Sequence, residues 1–114
     1  MPNQGDIVLI PIPFTDLSSQ KRRPVIVISN DSYNQTAPDV VVVAMTSNPI
    51  LTAYSFTIRS VDLTSGQLNR PGTVRVDKLY TLDQMLIVKV FGHVNNRTLN
   101  RIRTILRELI ARKP

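Results

Sequence analysis

Three short stretches of this chain combine cations, hydroxyl groups and a carboxylate that could act on a phosphate ester. Arg23 stands directly before Pro24, Thr46-Ser47 follows an apolar run, and Arg75 stands two residues before Asp77. A carboxylate can accept a proton, guanidinium groups can neutralise charge on a phosphorane, and a hydroxyl group can donate to a phosphate oxygen. The three stretches therefore contain the parts for phosphodiester transfer through a ribose 2′-hydroxyl group.

The sequence Lys21-Arg22-Arg23-Pro24 precedes a β-branched apolar run. A proline restricts the preceding residue to extended geometry and cannot donate to a central ladder, so this position predicts the entrance of a strand. An arginine on such a fixed backbone loses little entropy when it binds a phosphate, and its planar fork suits that ligand. A solvated surface cluster is the alternative, and composition alone favours it.

The run of residues 73–77 alternates polar and apolar side chains. This period of two places Arg75 and Asp77 on one face of a strand, with Val74 and Val76 on the other. A simple same-face ion pair is the alternative to a catalytic pair.

Other kinds of catalysis have little support in the sequence. One histidine, no cysteine and scattered aspartates give no spacing for a metal site, and no glycine motif indicates a phosphate-binding loop or a cofactor. No elbow motif surrounds any serine. We expect His93 to be a structural or surface residue rather than a catalytic one, because the sequence does not indicate a partner that would orient it.

The length and composition predict a single soluble domain spanning residues 1–114. No apolar run approaches the roughly 20 residues of a membrane span, and the amino terminus does not resemble a signal peptide, so we expect a cytoplasmic protein. The net charge is +6, and residues 95–114 carry six basic side chains against one acid. This charge indicates an acidic partner.

The patterning predicts a mainly β protein with a C-terminal amphipathic helix that starts after Asn95 or Asn96. Six or so short strands favour a bent antiparallel sheet, most economically a small barrel. Pro11 and Pro13 predict an edge or bulge after the first strand. The remaining predicted segments are strands at 7–10, 24–29, 40–45, 54–59, 73–77 and 87–91, a polar loop at 15–20, a helical turn at 30–35, a turn-rich stretch at 62–72 and a second helical turn near 82–84.

Four motifs in order resemble those of the MazF/PemK (Kid) family of toxin endoribonucleases. They are Gly5 to Pro11, Lys21 to Ile28, Val40 to Ser47, and Thr73 to Asp83, and the final helix also matches. The resemblance implies an SH3-like barrel of the MazF/Kid/CcdB type that forms a homodimer, cuts single-stranded RNA such as mRNA without a metal or cofactor, and is inhibited by an acidic antitoxin.

The resemblance also implies roles for individual residues. Arg23, Thr46, Arg75 and Asp77 match the catalytic positions, the last two as the general acid and base of the Kid-like branch. The RNA contacts expected beside them are Gln20, Lys21, Arg22, Ser47, Asn48 and Lys78. Residues 15–22 lack the histidine that Kid-like members have before the Arg-Pro motif.

The pairing of Arg75 with Asp77 limits what these two residues can do. Arg75 should lower the pKa of Asp77 and so weaken it as a base, while a guanidinium group is a poor acid. We therefore expect Arg23 and Arg75 to act first as electrostatic stabilisers of the phosphorane.

Two other functions fit the same general features. One is a CcdB-like toxin that binds DNA gyrase without catalysis, although this chain has no tryptophan near its end. The other is a basic nucleic-acid-binding domain, for which three Tyr and three Phe give few stacking platforms. The basic C-terminal helix is either a solvated face or a contact for the antitoxin.

Overall fold

The computed structural model of the protein describes residues 1–11 and 21–114. In this part of the chain, seven strands and two α-helices are connected by loops and two 3-10 turns, at Ser60–Asp62 and Gln84–Leu86. The elements are β1 (Asp6–Pro11), β2 (Arg22–Val27), α1 (Asp31–Thr36), β3 (Asp39–Thr46), β4 (Ser55–Ile58), β5 (Leu63–Ser65), β6 (Gly72–Asp83), β7 (Lys89–Val94) and α2 (Asn96–Ile110).

The seven strands form one antiparallel sheet in the order β4-β6-β3-β2-β1-β7-β5. Its two edge strands are consecutive in sequence, because only residues 59–62 separate β4 from β5. A flat sheet would hold these edges about 29 Å apart, at about 4.8 Å per strand, whereas the five steps from Ile58 to Leu63 reach at most about 18 Å. The sheet must therefore curl into a half-barrel, which confirms the predicted fold class.

The apolar side chains of the sheet form two clusters, as the alternation along the strands requires. One cluster lies under α2, and the other lies on the opposite face of the sheet, where Tyr80, Leu86 and Ile87 pack against it. The first contains Ile7, Ile26, Val43, Met45, Phe56, Ile58, Val74, Val76, Val94, Leu99 and Ile102, and the second contains Val8, Ile10, Val25, Val27, Val40, Val42 and Leu82.

The C-terminal helix α2 begins where the sequence predicts. The side chain of Asn95 caps it by accepting a hydrogen bond from the backbone N–H of Thr98. Leu99 and Ile102 are buried against the sheet, and the guanidinium group of Arg101 lies 4.4 Å from the ring centroid of Phe56. No helix in the described residues is both long enough and apolar enough to cross a membrane.

Several predicted boundaries are wrong, and the strand pairing explains why. The first strand β1 lies between β2 and β7, but β7 pairs with it only as far as Leu9, so its last residue, Pro11, pairs with β2 alone, as the predicted edge requires, and Pro13 lies outside the described residues. The turn-rich stretch contains the short strand β5, whose pairing with β7 is a long-range contact. Three elements are also shifted. β2 runs from Arg22 to Val27 rather than over 24–29, and β7 runs from Lys89 through Gly92 to Val94. β6 continues to Asp83, so the helical turn predicted near 82–84 lies at Gln84–Leu86.

Candidate active site

A cleft opens where β2 and β3 separate. These strands pair only from Val25 to Val27, and β2 extends beyond that ladder with Arg23 and Pro24 paired to β1 alone. Because Pro24 has no N–H group, it cannot donate to β3 at the point where the ladder stops. The separation leaves Arg23 on one side of the cleft and Met45 and Thr46 on the other.

A bulge in β6 directs two further side chains into this cleft. Ala44 of β3 pairs with Arg75, and the adjacent Val43 pairs with Leu79, four positions further along β6. Residues 76–78 are therefore additional to the ladder, and an odd number of extra residues reverses the alternation of faces. As a result Arg75 and Tyr80, which a regular strand would place on opposite faces, line the same cavity.

Arg75 and Asp77 form a bidentate ion pair. Nε of Arg75 donates to Oδ1 of Asp77 at 3.0 Å, and Nη2 donates to Oδ2 at 2.9 Å. Val74 and Val76 are fully buried on the other face, as the alternation predicts. The hydrogen bonds from Arg75 lower the pKa of Asp77, which confirms the expected direction, and the same hydrogen bonds raise the pKa of Arg75.

The loop after β3 holds Thr46 in place. The hydroxyl oxygen of Thr46 accepts the backbone N–H of Asn48 at 3.2 Å, and the side-chain oxygen of Asn48 accepts the backbone N–H of Ile50 at 3.1 Å. The hydroxyl group of Thr73, opposite Thr46 in the sheet, donates to the carbonyl oxygen of Asn48 at 2.8 Å. The Thr46 hydroxyl therefore has a fixed acceptor role toward the loop and keeps its own proton for another partner.

Two adjoining cavities result, of about 290 and 220 Å³. They share four residues, Arg23, Pro24, Met45 and Thr46. We call the larger one the main cavity and the smaller one the side groove. The main cavity is further lined by Ile10, Val25, Ala44, Asn48, Ile50, Arg75, Lys78 and Tyr80, and the side groove by Arg22, Ser47, Leu68, Arg70, Pro71 and Gly72.

These cavities bring together most of the residues that the sequence singled out. Arg23 and Thr46 line both, Arg75, Asn48 and Lys78 line the main cavity, and Arg22 and Ser47 line the side groove. Asp77 lines neither cavity but is bonded to Arg75. Lys21 is exposed just before β2 and lines neither cavity, and Gln20, like the predicted loop at 15–20, lies outside the described residues.

Two further lining residues, Tyr80 and Arg70, are not among the predicted site residues. Tyr80 lies between two predicted segments, the strand at 73–77 and the turn near 82–84, and the bulge that redirects it depends on the pairing of β6 with β3. Arg70 did carry a signal, since it precedes Pro71 just as Arg23 precedes Pro24.

The single histidine has a partner that its sequence position does not indicate. Nδ1 of His93 lies 2.9 Å from Oδ1 of Asp6, and Oδ2 of the same largely buried carboxylate accepts the backbone N–H of Asn3 at 2.8 Å. Asp6 and His93 pair at the start of β1, whereas Arg23 pairs with Ile10 at its other end. Across residues 1–11 and 21–114, no three His, Asp or Glu side chains come together as a metal site.

Solved structures with the same fold include several toxins. An endoribonuclease from a mycobacterial species, in complex with its cognate antitoxin, is 23% identical, with 100% of each chain covered and a TM-score of 0.74. Another mycobacterial endoribonuclease is 24% identical. This match covers 99% of the present chain and 95% of the endoribonuclease chain, with a TM-score of 0.76. The MazE-MazF complex from Deinococcus radiodurans is 20% identical in sequence. The match covers 98% of this chain and 97% of the solved chain, with a TM-score of 0.77.

The family comparison extends over nearly the whole chain. No curated protein sequence gives a significant match. However, the model of a family described as the PemK-like, MazF-like toxin of type II toxin-antitoxin systems matches residues 3–110. Together with the half-barrel and its C-terminal helix, this match shows that the chain belongs to the PemK/MazF toxin family of type II toxin-antitoxin systems.

Proposed function

We propose that this protein is a sequence-selective endoribonuclease that cuts single-stranded RNA, including mRNA, without a metal ion. The observation that carries the proposal is the convergence of Arg23, Thr46 and Arg75 on the main cavity. Two guanidinium groups and a hydroxyl donor around one cavity suit a phosphate that gains negative charge during reaction. The endoribonuclease names of the solved relatives support the same activity.

The proposed reaction is attack by a ribose 2′-hydroxyl on the adjacent phosphorus. The 2′ oxygen bonds to phosphorus, the bond from phosphorus to the 5′ oxygen breaks, and the proton lost by the 2′-hydroxyl balances the proton gained by the 5′ oxygen. The products are a 2′,3′-cyclic phosphate and a 5′-hydroxyl group. Arg23 and Arg75 stabilise the phosphorane, and Thr46 donates to one of its oxygens.

Asp77 is the proton acceptor in this scheme. Its lowered pKa keeps it ionised at neutral pH, so that it can accept a proton, although it is a weak base. Both of its carboxylate oxygens already accept from Arg75, which orients the two groups as one unit. A shift of Arg75 toward the phosphate on substrate binding would loosen this pair and strengthen the base.

We further propose that the toxin acts as a homodimer and is inhibited by an acidic antitoxin. The net charge of +6 favours an acidic partner. One solved relative is in complex with its cognate antitoxin, and another is a MazE-MazF complex.

The test is cleavage of a mixed-sequence RNA in EDTA, followed by mapping of the cut ends. A synthetic RNA that contains the mapped site is then made with a single 2′-deoxynucleotide at the cleaved position. We expect cutting in EDTA and complete loss of cutting in the 2′-deoxy RNA. Cutting of the 2′-deoxy RNA would exclude attack by the 2′-hydroxyl, and gyrase inhibition with intact RNA would favour a CcdB-like toxin instead.

Two arginine variants test the site. Arg23→Ala should lower kcat/KM by about 100-fold or more, the usual effect of losing a donor to the transition state. Arg112→Ala is a matched control, since Arg112 is exposed in the C-terminal tail. A folded Arg23→Ala protein with normal cleavage would contradict the assignment.

A further inference from the structure

The chain contains a second Arg-Pro pair at the start of a strand. Arg70-Pro71 directly precedes β6, as Arg23-Pro24 begins β2. Proline restricts both arginines to extended backbone geometry. Arg23 lies in β2 and Arg70 lies just before β6, two strands that are not neighbours in the sheet, yet both arginines line the side groove.

The segment that carries Arg70 is fixed to the body of the protein. The hydroxyl group of Ser60 accepts the backbone N–H of Leu68 at 2.9 Å and donates to the carbonyl oxygen of Leu68 at 3.2 Å. The side chain of Leu68 packs against the cluster under α2. The backbone near Arg70 is therefore ordered before any ligand binds, which reduces the entropy lost on binding.

The composition of the side groove suits part of a nucleotide chain. Pro24, Met45, Leu68 and Pro71 give it apolar walls, Arg22, Arg23 and Arg70 supply charge, and none of the described residues that line it is acidic. At about 220 Å³ it is smaller than an ordinary ligand pocket. It shares Arg23 and Thr46 with the main cavity, so a chain whose reacting phosphate contacts Arg23 can continue directly into the groove.

Arg70 is available to bind an anion. It is exposed and makes no hydrogen bond or ion pair with any residue in the described ranges. Arg75, by contrast, is bound to Asp77. A guanidinium group beside an apolar wall can bind a phosphate in a bidentate manner while the sugar or base packs on the wall.

We infer that Arg70 is a substrate-positioning residue that binds the phosphate next to the one that reacts. The inference rests on the proposed endoribonuclease function. Arg23 and Arg75 act on the reacting phosphate in the main cavity, and Arg70 fixes the register of the RNA from the side groove. Loss of Arg70 should therefore weaken substrate binding without slowing the chemical step.

The experiment combines Arg70→Ala with RNAs in which one phosphate at a time is a neutral methylphosphonate, on the 5′ or the 3′ side of the cut. In the wild type, one of these positions should raise KM by about 10- to 100-fold, the effect of losing a charged hydrogen bond. Arg70→Ala should raise KM for the unmodified RNA by a similar factor, leave kcat unchanged, and be insensitive to that methylphosphonate. Arg112→Ala should behave as the wild type.

Other outcomes have definite meanings. If Arg70→Ala keeps the wild-type KM or the full response to every methylphosphonate, the inference is wrong. If kcat falls instead of KM rising, Arg70 acts on the reacting phosphate, which also overturns the inference. Arg70→Lys, which keeps the charge but loses the bidentate fork, should recover only part of the affinity.

Failure of the proposed function can be recognised separately. If the wild type cuts no RNA, binding of a mixed-sequence single-stranded RNA is measured at increasing salt. The affinity for RNA falls as salt rises, and each phosphate contact makes this dependence steeper. If Arg70 contacts a phosphate, Arg70→Ala should make the slope of log affinity against log salt less negative by about 0.7, and an unchanged slope contradicts the contact.

Discussion

At the scale of single residues, Arg75 and Asp77 shift each other's pKa, and both shifts favour the charged forms. The hydrogen bonds from Arg75 lower the pKa of Asp77, so Asp77 is ionised in the native protein at and above its ordinary value of 3.8. A group whose native pKa is lowered stabilises the fold above the unfolded pKa and loses that effect as the pH falls through the native pKa. The stabilising effect of this pair is therefore constant from pH 5 upward and is lost only below about pH 4.

The first prediction concerns the pH dependence of cleavage. Because Asp77 does not titrate between pH 5 and 8, Asp77→Asn should lower kcat/KM by the same factor at every pH in that range. The measurement is the pH-rate profile of both proteins on one RNA. If the ratio of the wild-type kcat/KM to that of Asp77→Asn changes tenfold per pH unit within this range, Asp77 titrates there.

The second prediction concerns His93. His93→Ala removes a partner of the largely buried Asp6 carboxylate and should cost about 1–3 kcal/mol of unfolding free energy. Cleavage by the folded variant should be unchanged, because Asp6 and Ile10 lie about 13 Å apart along β1 and only Ile10 pairs with Arg23. Denaturant unfolding measures the change in unfolding free energy, and kcat/KM measures the change in cleavage. A 100-fold loss of activity with intact stability would instead make His93 catalytic.

These two pairs show how far a sequence can identify contacts. Arg75 and Asp77 are two residues apart on one strand, so their pairing and the direction of the pKa shift follow from alternation alone. Asp6 and His93 are 87 positions apart, and their contact depends on the pairing of β1 with β7. Local patterns identify the first kind of contact and do not identify the second.

At the scale of elements, the site depends on two irregularities in the sheet. The ladder between β2 and β3 stops at Pro24, and the sequence indicates this because proline has no N–H group. The bulge at residues 76–78 has no comparable signal, since the alternation of residues 73–77 looks regular. Arg23 could therefore be placed from the sequence, and the shared cavity of Arg75 and Tyr80 could not.

The third prediction concerns the loop between β5 and β6. Gly66 has φ +84°, and an added Cβ atom would lie 2.4 Å from the carbonyl oxygen of Phe91. Gly66→Ala should therefore cost at least about 1–3 kcal/mol of unfolding free energy, since neither backbone can move freely. It should also raise KM if the loop carries Arg70 to the RNA.

Gly72→Ala is the matched control for the predicted loss of unfolding free energy. Its nearest neighbours would be side-chain atoms of Ile58 and Met45 at 3.4 Å, and its φ is not in the left-handed region. We expect it to change stability by less than about 1 kcal/mol. If Gly66→Ala and Gly72→Ala lose the same unfolding free energy, the left-handed conformation of Gly66 is not the cause of the loss.

At the scale of the whole molecule, two groups of basic side chains lie on different sides of the sheet. The main cavity contains Arg23, Arg75 and Lys78, whereas α2 and the residues after it carry six basic side chains. The main cavity opens on the face of the sheet that bears Ile10, Val25 and Tyr80, and α2 packs on the other face. Some of the basic residues of α2 have structural contacts, Arg101 with Phe56 and Arg103 with Gln4.

The fourth prediction separates these two sources of charge. Arg97, Arg107 and Arg112 are exposed and can be changed together to Gln. A helix with its side chains is about 10 Å across, so the exposed face of α2 lies at least that far from the opposite face of the sheet, whereas the Debye length is about 8 Å at physiological salt but about 30 Å at 0.01 M. The triple variant should therefore match the wild-type kcat/KM at 0.15 M salt and fall below it at 0.01 M, where long-range attraction of RNA reappears. A deficit that persists at 0.15 M would place RNA in direct contact with α2, and no deficit at either salt would show that the charge on α2 does not attract RNA at all.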